Sequence, residues 1–194
     1  MINQIFLISI AYLIGSLSFG IIVSKLLKLK DPRTIGSKNP GATNVMRSGN
    51  KLAAILTLLG DIFKATIVVK IAILLDLKDQ EVLQICLAVL IGHTYPIYYK
   101  FKGGKGVATY VGILFSINLI LGLIFIISWA VTFLVSKYSS LSSLVASLMV
   151  PIYLIIFENY NSIFFIIMFV LIFFTHRENV KRLNNKEETR TKIY

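Results

Sequence analysis

The apolar stretch VATYVGILFSINLILGLIFIISWAVTFLV, Val107–Val135, decides how this chain folds. At about 1.5 Å per residue, a single helix over this stretch would be roughly 43 Å long, well beyond the ~30 Å hydrocarbon core of a bilayer. Two helices would each be somewhat short, and Asn118 and Gly122 offer a turn between them. The flanking charges are needed to choose between one crossing and two.

The composition indicates a membrane protein. Hydrophobic residues make up 56% of the 194 residues, charged residues only 15%, and the mean hydropathy is +0.79. A soluble domain of this size would not bury that much apolar surface. The length suits one bundle, so residues 1–194 are predicted to form a single transmembrane domain. The other apolar runs are Ile2–Ser24, Leu52–Leu75, Val82–Tyr99, Leu141–Phe157 and Ile163–Phe174.

Charge asymmetry predicts the topology. Basic residues concentrate in residues 25–51, in residues 100–105 and in the tail after Phe174, whereas the link of residues 76–81 is mainly acidic. If the positive segments are cytoplasmic, the tail is on the same side as the other two only when Val107–Val135 crosses twice. The prediction is an all-α integral membrane protein with seven transmembrane helices, the N-terminus outside and the C-terminus cytoplasmic. The first run lacks a basic n-region and a cleavage site, so we expect it to stay in the mature protein.

The net charge of +11 comes from short basic clusters between apolar runs and not from a basic domain. This pattern favours phosphate or anionic lipid as the partner over nucleic acid. Cys86 is the only cysteine and lies in an apolar run, which predicts a buried, inert thiol.

A glycine-lysine loop precedes the long apolar stretch, in the segment FKGGKGVAT. Glycines let backbone N–H groups line a concave anion nest, the next helix adds its positive end, and two lysines add full charges. The segment therefore suits phosphate, although a basic turn that only orients the protein is the alternative. The P-loop pattern of nucleotide-binding proteins is absent. The candidate ligands are Lys102, Gly103, Gly104, Lys105 and Gly106.

A second polar loop, GSKNPGATN, spans Gly36 to Asn44 between two apolar runs. Its residue types have low helix propensity and many hydrogen-bonding groups, and an arginine behind it can grip phosphate with two bonds. The alternative is a loop whose side chains satisfy only their own backbone. The candidate ligands here are Gly36, Ser37, Asn39, Gly41, Thr43, Asn44 and Arg47.

The segment THRENVKRL is predicted to continue the last helix into the cytoplasm. His176 and Asn179 are three residues apart, so they share a helix face, and a role in a site is favoured for them. Arg177, Lys181 and Arg182 fit either a site or a positive flank against anionic lipid. All three polar segments are predicted on the cytoplasmic face, where they can build one site.

Charged residues inside the second run are expected to face the bundle, because charges near the bilayer centre cost about 2.5–3.5 kcal/mol each. Asp61 and Lys64 stand one turn apart and are predicted to pair. A structural salt bridge and a direct catalytic role are both open for this pair. His93 is expected to form hydrogen bonds within the bundle, in a supporting role.

Three long motifs together carry a family resemblance. GSKNPGATN, GHTYPIYYKFKGGKGVAT and HRENVKRL, in this order and at these span boundaries, resemble the signature motifs of the bacterial membrane acyl-phosphate:glycerol-3-phosphate acyltransferases. The segment YLIGSLSFG and the Asp61/Lys64 pair also resemble that family. The sequence departs from the family pattern at Ser18, where proline is usual, and at Ala65 and Lys186, where glycine is usual.

The resemblance implies transfer of a fatty acyl group from acyl phosphate to the 1-hydroxyl of glycerol 3-phosphate, giving lysophosphatidic acid and phosphate at the start of phospholipid synthesis. It also implies a multi-pass protein of the bacterial inner membrane with a cytoplasmic active site. The expected partners are the two substrates and membrane lipid, without nucleic acid, an obligatory protein partner, a cofactor or a metal. A transporter of phosphate or an organic phosphate is the alternative, although transporter sites lie near the midplane.

In this interpretation the catalytic residues are Ser37, Lys105 and His176. The acyl phosphate head lies in the nest with Ser37 and Thr43, while glycerol 3-phosphate is held by Arg47, Lys105, His176 and Asn179. Acyl phosphate is already activated, and no nucleophile motif is present, so direct transfer is expected. Either His176 or a substrate phosphate oxygen takes the proton.

Overall fold

The computed structural model describes residues 3–158 and 162–190, in which every regular element is helical. Two 3-10 turns, Pro32–Thr34 and Ile97–Tyr99, flank the polar loop and the glycine-lysine loop, and a π-helical turn covers Leu154–Glu158. The α-helices of the described residues are α1 (Gln4–Gly15), α2 (Phe19–Leu26), α3 (Ala42–Met46), α4 (Lys51–Leu74), α5 (Asp79–Thr94), α6 (Val107–Ile117), α7 (Leu119–Ser136), α8 (Ser139–Tyr153), α9 (Ser162–Thr175) and α10 (Arg177–Asn184).

The chain divides into two compact units, Met1–Ser116 and Ile117–Tyr194. In the first unit α1 packs against α5, and α4 packs against α2, α3 and α5. In the second unit α8 packs between α7 and α9, and α10 follows α9. The single domain of residues 1–194 stays a prediction.

Helix α4 shows why the fold belongs in a membrane. Its outward side chains include the exposed Ile55, Phe63 and Ile67, whereas its buried face carries the charged Asp61 and Lys64. A helix at the surface of a soluble protein has the opposite arrangement, with polar residues outside. This reversal indicates that lipid and not water surrounds the helix.

Among the described residues, four helices are long and apolar enough to cross a membrane, counting α5 to Tyr99 and α8 to Glu158. Two further pairs meet this criterion only when each is taken as one bent span: α1 with α2, bent by 44°, and α9 with α10, bent by 61°. The prediction that THRENVKRL continues the last helix is wrong, because the helix axis turns at His176.

The long apolar stretch is broken where the sequence suggested. Helix α6 ends at Ile117, and Asn118 caps α7 by accepting a hydrogen bond from the Ile120 N–H over 2.7 Å. A side-chain cap replaces the missing intrahelical acceptor at a helix start. Gly122 lies inside α7 and takes no part in the break.

Two glycines bring α1 and α5 into direct backbone contact. A Cβ atom on Gly15 would lie 2.3 Å from the Val89 carbonyl oxygen, and one on Gly92 would lie 2.2 Å from the Tyr12 carbonyl oxygen. Close backbone approach through small residues is how helices associate in lipid, where apolar burial gives little driving force.

Candidate active site

The predicted pair of Asp61 and Lys64 is present, and Lys64 also reaches the break between α1 and α2. Its Nζ lies 2.9 Å from Asp61 Oδ1 and donates to the carbonyls of Gly15 at 2.9 Å and Leu17 at 2.6 Å. Carbonyls at a helix end have no intrahelical donor, so a buried ammonium group satisfies them. The bend is therefore present with Ser18, rather than proline, at the start of α2.

His93 connects this ion pair to the glycine-lysine loop. Its Nδ1 lies 2.9 Å from Lys64 Nζ and 3.5 Å from Asp61 Oδ1. Nδ1 therefore faces both members of the ion pair, the Lys64 ammonium group and the Asp61 carboxylate. The ring lies against Gly104, where an added Cβ would be 2.1 Å from Nε2.

The two adjacent glycines of this loop serve packing against α5. The Gly104 N–H donates to the His93 carbonyl at 3.1 Å, and a Cβ on Gly103 would lie 2.2 Å from the same oxygen. The Gly104 N–H thus already has a hydrogen-bond acceptor within the protein. The predicted anion nest is therefore left with the residues next to Gly104. Gly106 adopts φ of 90° immediately before α6, a conformation that glycine reaches without strain. Lys105, between Gly104 and Gly106, is partly buried, and Lys102 is exposed.

Asn44 organises the polar loop from inside. Its Oδ1 accepts from the Ser37 N–H at 2.9 Å, and its Nδ2 donates to the carbonyls of Pro32 at 2.7 Å and Ile35 at 3.1 Å. Gly36 turns with φ of 51° close to this amide. Both amide hydrogens are used on the loop, so Asn44 has at most an acceptor lone pair to offer a substrate.

Four other predicted ligands of the polar loop are more exposed than Asn44. The side chains of Ser37, Thr43 and Arg47 are exposed, and Asn39 is partly exposed. Within residues 3–158 and 162–190, none of these four side chains has a hydrogen-bond partner. Gly41 is the N-cap of the short α3, which contains Thr43, and Arg47 is its C-cap. The loop is thus fixed by Asn44 while its remaining polar groups are available to a ligand.

The first unit brings the polar loop and the glycine-lysine loop to the same end, and Arg33 links the segments before them. Its guanidinium pairs with Asp31 at 2.6 Å and lies 5.6 Å from the Tyr99 ring centroid, a cation-π distance. The hydrogen bond from Arg33 lowers the pKa of Asp31 below its usual value. This contact was not evident from the sequence, because Arg33 lies outside the quoted motifs.

In the second unit, His176 sits where α9 turns into α10. Its Nδ1 lies 2.8 Å from the Ile172 carbonyl oxygen, and its side chain is 3% exposed. Because a carbonyl only accepts, Nδ1 carries a proton, and a neutral ring has its lone pair on Nε2. Any base role of His176 therefore belongs to Nε2.

Asn179 lies in the first turn of α10, buried beside a carboxylate from the tail. Its Nδ2 donates to Glu188 Oε1 at 2.7 Å, and Arg182 Nε donates to Glu188 Oε2 at 2.7 Å. Burial raises the pKa of Glu188, but hydrogen bonds from Ser140, Asn179 and Arg182 outweigh it, so the pKa is lower than usual. The polar loop and the glycine-lysine loop belong to the first unit and HREN to the second; their assembly into one site remains a prediction.

Helices with apolar outer faces and buried charges define an all-helical, multi-pass integral membrane protein. Comparison with known families then gives the identity: the family model for glycerol-3-phosphate acyltransferase matches residues 5–186. The chain belongs to the glycerol-3-phosphate acyltransferase family. The family is one of acyltransferases, and the fold is that of an integral membrane protein.

Individual relatives agree along almost the whole chain. A glycerol-3-phosphate acyltransferase of Pelagibacter ubique (strain HTCC1062) is 66% identical over 184 residues, covering 95% of this chain and 95% of the relative. One from Burkholderia multivorans is 48% identical and covers 93% and 87%. The crystal structure of PlsY (YgiH), an integral membrane glycerol 3-phosphate acyltransferase, superposes in its glycerol 3-phosphate form with a TM-score of 0.91 at 35% identity, covering 97% of this chain and 96% of that chain. Its lysophosphatidic acid form gives a TM-score of 0.90.

The three departures from the family pattern lie at a helix N-cap, at a buried helix position and at a left-handed residue after α10. Ser18 is the N-cap of α2, and Ala65 is fully buried, with its Cβ 3.2 Å from where a Cβ on Gly112 would lie. Lys186 has φ of 60°, the left-handed conformation that glycine adopts without penalty. None of the three is a predicted substrate ligand.

Proposed function

We propose that this chain transfers a fatty acyl group from acyl phosphate to the 1-hydroxyl of glycerol 3-phosphate, releasing lysophosphatidic acid and phosphate. Membership of the family supports an acyltransferase that uses glycerol 3-phosphate. The acyl phosphate donor follows from the motif resemblance, and the lysophosphatidic acid product is also named for the related PlsY form. This would be the first step of phospholipid synthesis.

The observation that supports the proposal most directly is that one residue of the polar loop holds its backbone while other polar side chains of the loop are exposed. Asn44 spends both of its amide hydrogens on the loop backbone, while the nearby side chains of Ser37, Thr43 and Arg47 are exposed and form no hydrogen bond within the described residues. An ordered loop that leaves hydroxyl and guanidinium groups unused suits an anionic ligand. The ordinary alternative, a loop that satisfies only itself, does not account for these groups.

The residues divide between the two substrates. The acyl phosphate head is assigned to Gly103, Lys105 and Gly106 together with Ser37 and Thr43. Glycerol 3-phosphate is assigned to Arg47, Lys105, His176 and Asn179. Holding two anions for in-line attack against their mutual repulsion is most of the catalytic task, and cationic groups reduce that repulsion.

The chemistry is a direct displacement at the acyl carbonyl carbon. The glycerol 1-hydroxyl oxygen forms the new ester bond, the acyl carbon-oxygen bond to phosphate breaks, and inorganic phosphate leaves. The hydroxyl proton goes to a substrate phosphate oxygen or to Nε2 of His176, and these remain two alternatives. No acyl-enzyme is required, because the donor is an anhydride with a good leaving group. Cys86, whose side chain is fully buried, is no candidate nucleophile.

Seven spans are proposed for the topology, with α6 as a thin seventh crossing beside the four long helices and the two bent pairs. Local bilayer adjustment accommodates a span as short as α6. The N-terminus is then outside and the active site lies on the cytoplasmic face of a bacterial inner membrane. A transporter of phosphate is disfavoured, because the polar segments lie at helix ends and transporter sites lie near the midplane.

The test is an acyl-donor comparison with purified protein. Labelled glycerol 3-phosphate is supplied with a long-chain acyl phosphate, the matching acyl-CoA or the matching acyl-carrier protein, and lysophosphatidic acid is measured. The proposal requires product from acyl phosphate alone, with undiminished activity in Cys86→Ala. Product from acyl-CoA but not acyl phosphate would overturn the donor, and a stable acyl-enzyme formed from acyl phosphate alone would overturn direct transfer.

A further inference from the structure

The glycine-lysine loop is attached to the last turn of α5 at His93 in two ways. The Gly104 N–H donates to the His93 carbonyl oxygen at 3.1 Å, and the His93 ring lies against Gly104. The three atoms nearest to a Cβ placed on Gly104 all belong to this ring, with Nε2 at 2.1 Å, Cε1 at 2.7 Å and Cδ2 at 3.1 Å. Because Gly104 does not have a positive φ, the ring is the obstacle to a side chain there.

The His93 ring is in turn held by the buried ion pair of α4. Its Nδ1 lies 2.9 Å from Lys64 Nζ and 3.5 Å from Asp61 Oδ1, and all three side chains are buried. Leaving a buried charge without its partners is costly, so the ring is not free to rotate away from the pair. The ring therefore has a fixed orientation where it contacts Gly104.

The same ion pair also holds the polar loop, through the first turn of α2. Lys64 Nζ donates to the Leu17 carbonyl oxygen at 2.6 Å, just before this turn. Within the turn, a Cβ on Gly20 would lie 1.8 Å from the carbonyl oxygen of Pro40, which belongs to the polar loop. Close-packed backbone allows little adjustment. The buried cluster of Asp61, Lys64 and His93 therefore connects the attachment points of both loops.

We propose that His93 is a positioning residue that, together with Asp61 and Lys64, fixes the glycine-lysine loop relative to the polar loop. The acyl phosphate head, which groups of both loops are proposed to bind, is thereby aligned for attack, and His93 itself does not contact substrate. Catalysis by alignment is sensitive to small displacements, and a shift of about 1 Å costs about a hundredfold in rate. The inference rests on the proposed function only in taking the glycine-lysine loop as a substrate-binding loop.

The first experiment tests the contact between the ring and the loop by a double-mutant cycle. Gly104→Ala should lower kcat/KM about a hundredfold, because the new methyl group displaces the loop from the ring. His93→Asn keeps a polar atom near Lys64 but lacks Nε2 and Cε1, the two ring atoms nearest to the methyl group. We expect H93N/G104A to have a kcat/KM at least about tenfold above that of G104A, since substitutions at residues in contact are not additive.

The matched control is Gly103→Ala, which adds the same methyl group one residue earlier. Its Cβ would lie 2.2 Å from the His93 carbonyl oxygen and 2.7 Å from that of Thr94, main-chain atoms that His93→Asn leaves in place. H93N/G103A should therefore be no more active than G103A. Recovery in both double variants, or in neither, would overturn the role of the ring. Full activity of G103A and G104A would instead overturn the placement of this loop in the proposed function.

The kinetics of H93N alone distinguish positioning from a merely structural role. We expect its KM for acyl phosphate to rise about tenfold at a temperature well below its melting temperature. A structural role would lower the melting temperature and leave both KM values unchanged, which would overturn the proposal. A rise confined to the KM for glycerol 3-phosphate would support the positioning role and overturn the assignment of the acyl phosphate head to this loop.

A second variant tests the cluster without changing His93. D61N/K64M leaves the ring in place but removes both charges that hold it. No buried charge is left unpaired, so this double variant should fold even if H93N does not. We expect its kcat/KM to fall at least about tenfold, because the released ring no longer fixes the loop. Activity equal to that of the parent protein would show that the ion pair does not hold the ring, and the proposal would be wrong.

Discussion

Lys105 is the residue at which the charge and the backbone geometry of the glycine-lysine loop coincide. It is partly buried between Gly104, packed on His93, and Gly106, which turns the chain into α6. We expect Lys105→Ala to lower kcat/KM by about two to three orders of magnitude, the roughly 3–4 kcal/mol typical of losing one donor to developing charge. Lys105→Arg should recover only part, because a guanidinium is not a compact point charge. Steady-state acylation of labelled glycerol 3-phosphate measures both.

The control for that prediction is Lys25→Ala. Lys25 is exposed in the last turn of α2 and serves only as a flanking charge, so its loss should change the rate little. Near-normal turnover in K105A, combined with a large loss in K25A, would mean that the basic residues of the glycine-lysine loop only orient the protein in the membrane.

Asn44 and Asn39 belong to the same loop, but their contacts predict different behaviour. Asn44→Ala leaves the Ser37 N–H and the Pro32 and Ile35 carbonyls without their partner, which should cost about 1–3 kcal/mol of stability. Asn39→Ala should leave the melting temperature unchanged, because Asn39 has no side-chain hydrogen bond within the described residues. Thermal unfolding in detergent compares them, and equal melting temperatures would contradict the scaffold role of Asn44.

At the scale of helices, the break between α1 and α2 depends on a lysine of α4. Lys64→Met removes the donor to the Gly15 and Leu17 carbonyls and leaves Asp61 buried without its counter-charge. Breaking a buried pair from one side costs about 3–5 kcal/mol, so we expect a large fall in melting temperature or in membrane yield. D61N/K64M should recover part of the loss, because it removes the unpaired charge. A normal melting temperature for K64M alone would show that the bend between α1 and α2 does not depend on Lys64.

The helix breaks also show which local features the sequence reveals. Asn118 is recognisable because an asparagine inside an overlong apolar run both interrupts the pattern and caps the next helix. The bend at His176 has no such signal, since the residues around it all tolerate a helix. The bend at Ser18 is stabilised by Lys64, 47 residues from Leu17, and contacts at that separation leave no local pattern.

For the molecule as a whole, the sequence predicted the family through three motifs, but it did not predict the internal roles of the motif residues. Residue type marks Asn44 as polar, yet only the folded loop shows that its amide faces inward. Glu188 was missed for a related reason. It is one of three acidic residues in a basic tail, and its three donors come from α8 and α10.

The topology is testable by accessibility from the two sides of the membrane. A cysteine at Asn39 and a tag after Tyr194, a residue outside those the structure describes, should be accessible only from the cytoplasm. A cysteine at Asp79 should react from outside, because the link before α5 carries little positive charge. The fully buried Cys86 provides a silent background for thiol labelling. An externally accessible tail would contradict the seven-span arrangement.

The backbone contact between α1 and α5 limits how this enzyme can evolve. Where Gly15 faces Val89 and Gly92 faces Tyr12, even one methyl group would collide with main-chain oxygen, which cannot move aside as a side chain can. In a library of all single substitutions these two glycines should accept almost nothing, while the lipid-facing residues of the same helices accept most apolar replacements. Substitutions along the line of contact between the two helices are therefore not tolerated during evolution. Related sequences will differ least there for reasons of space alone.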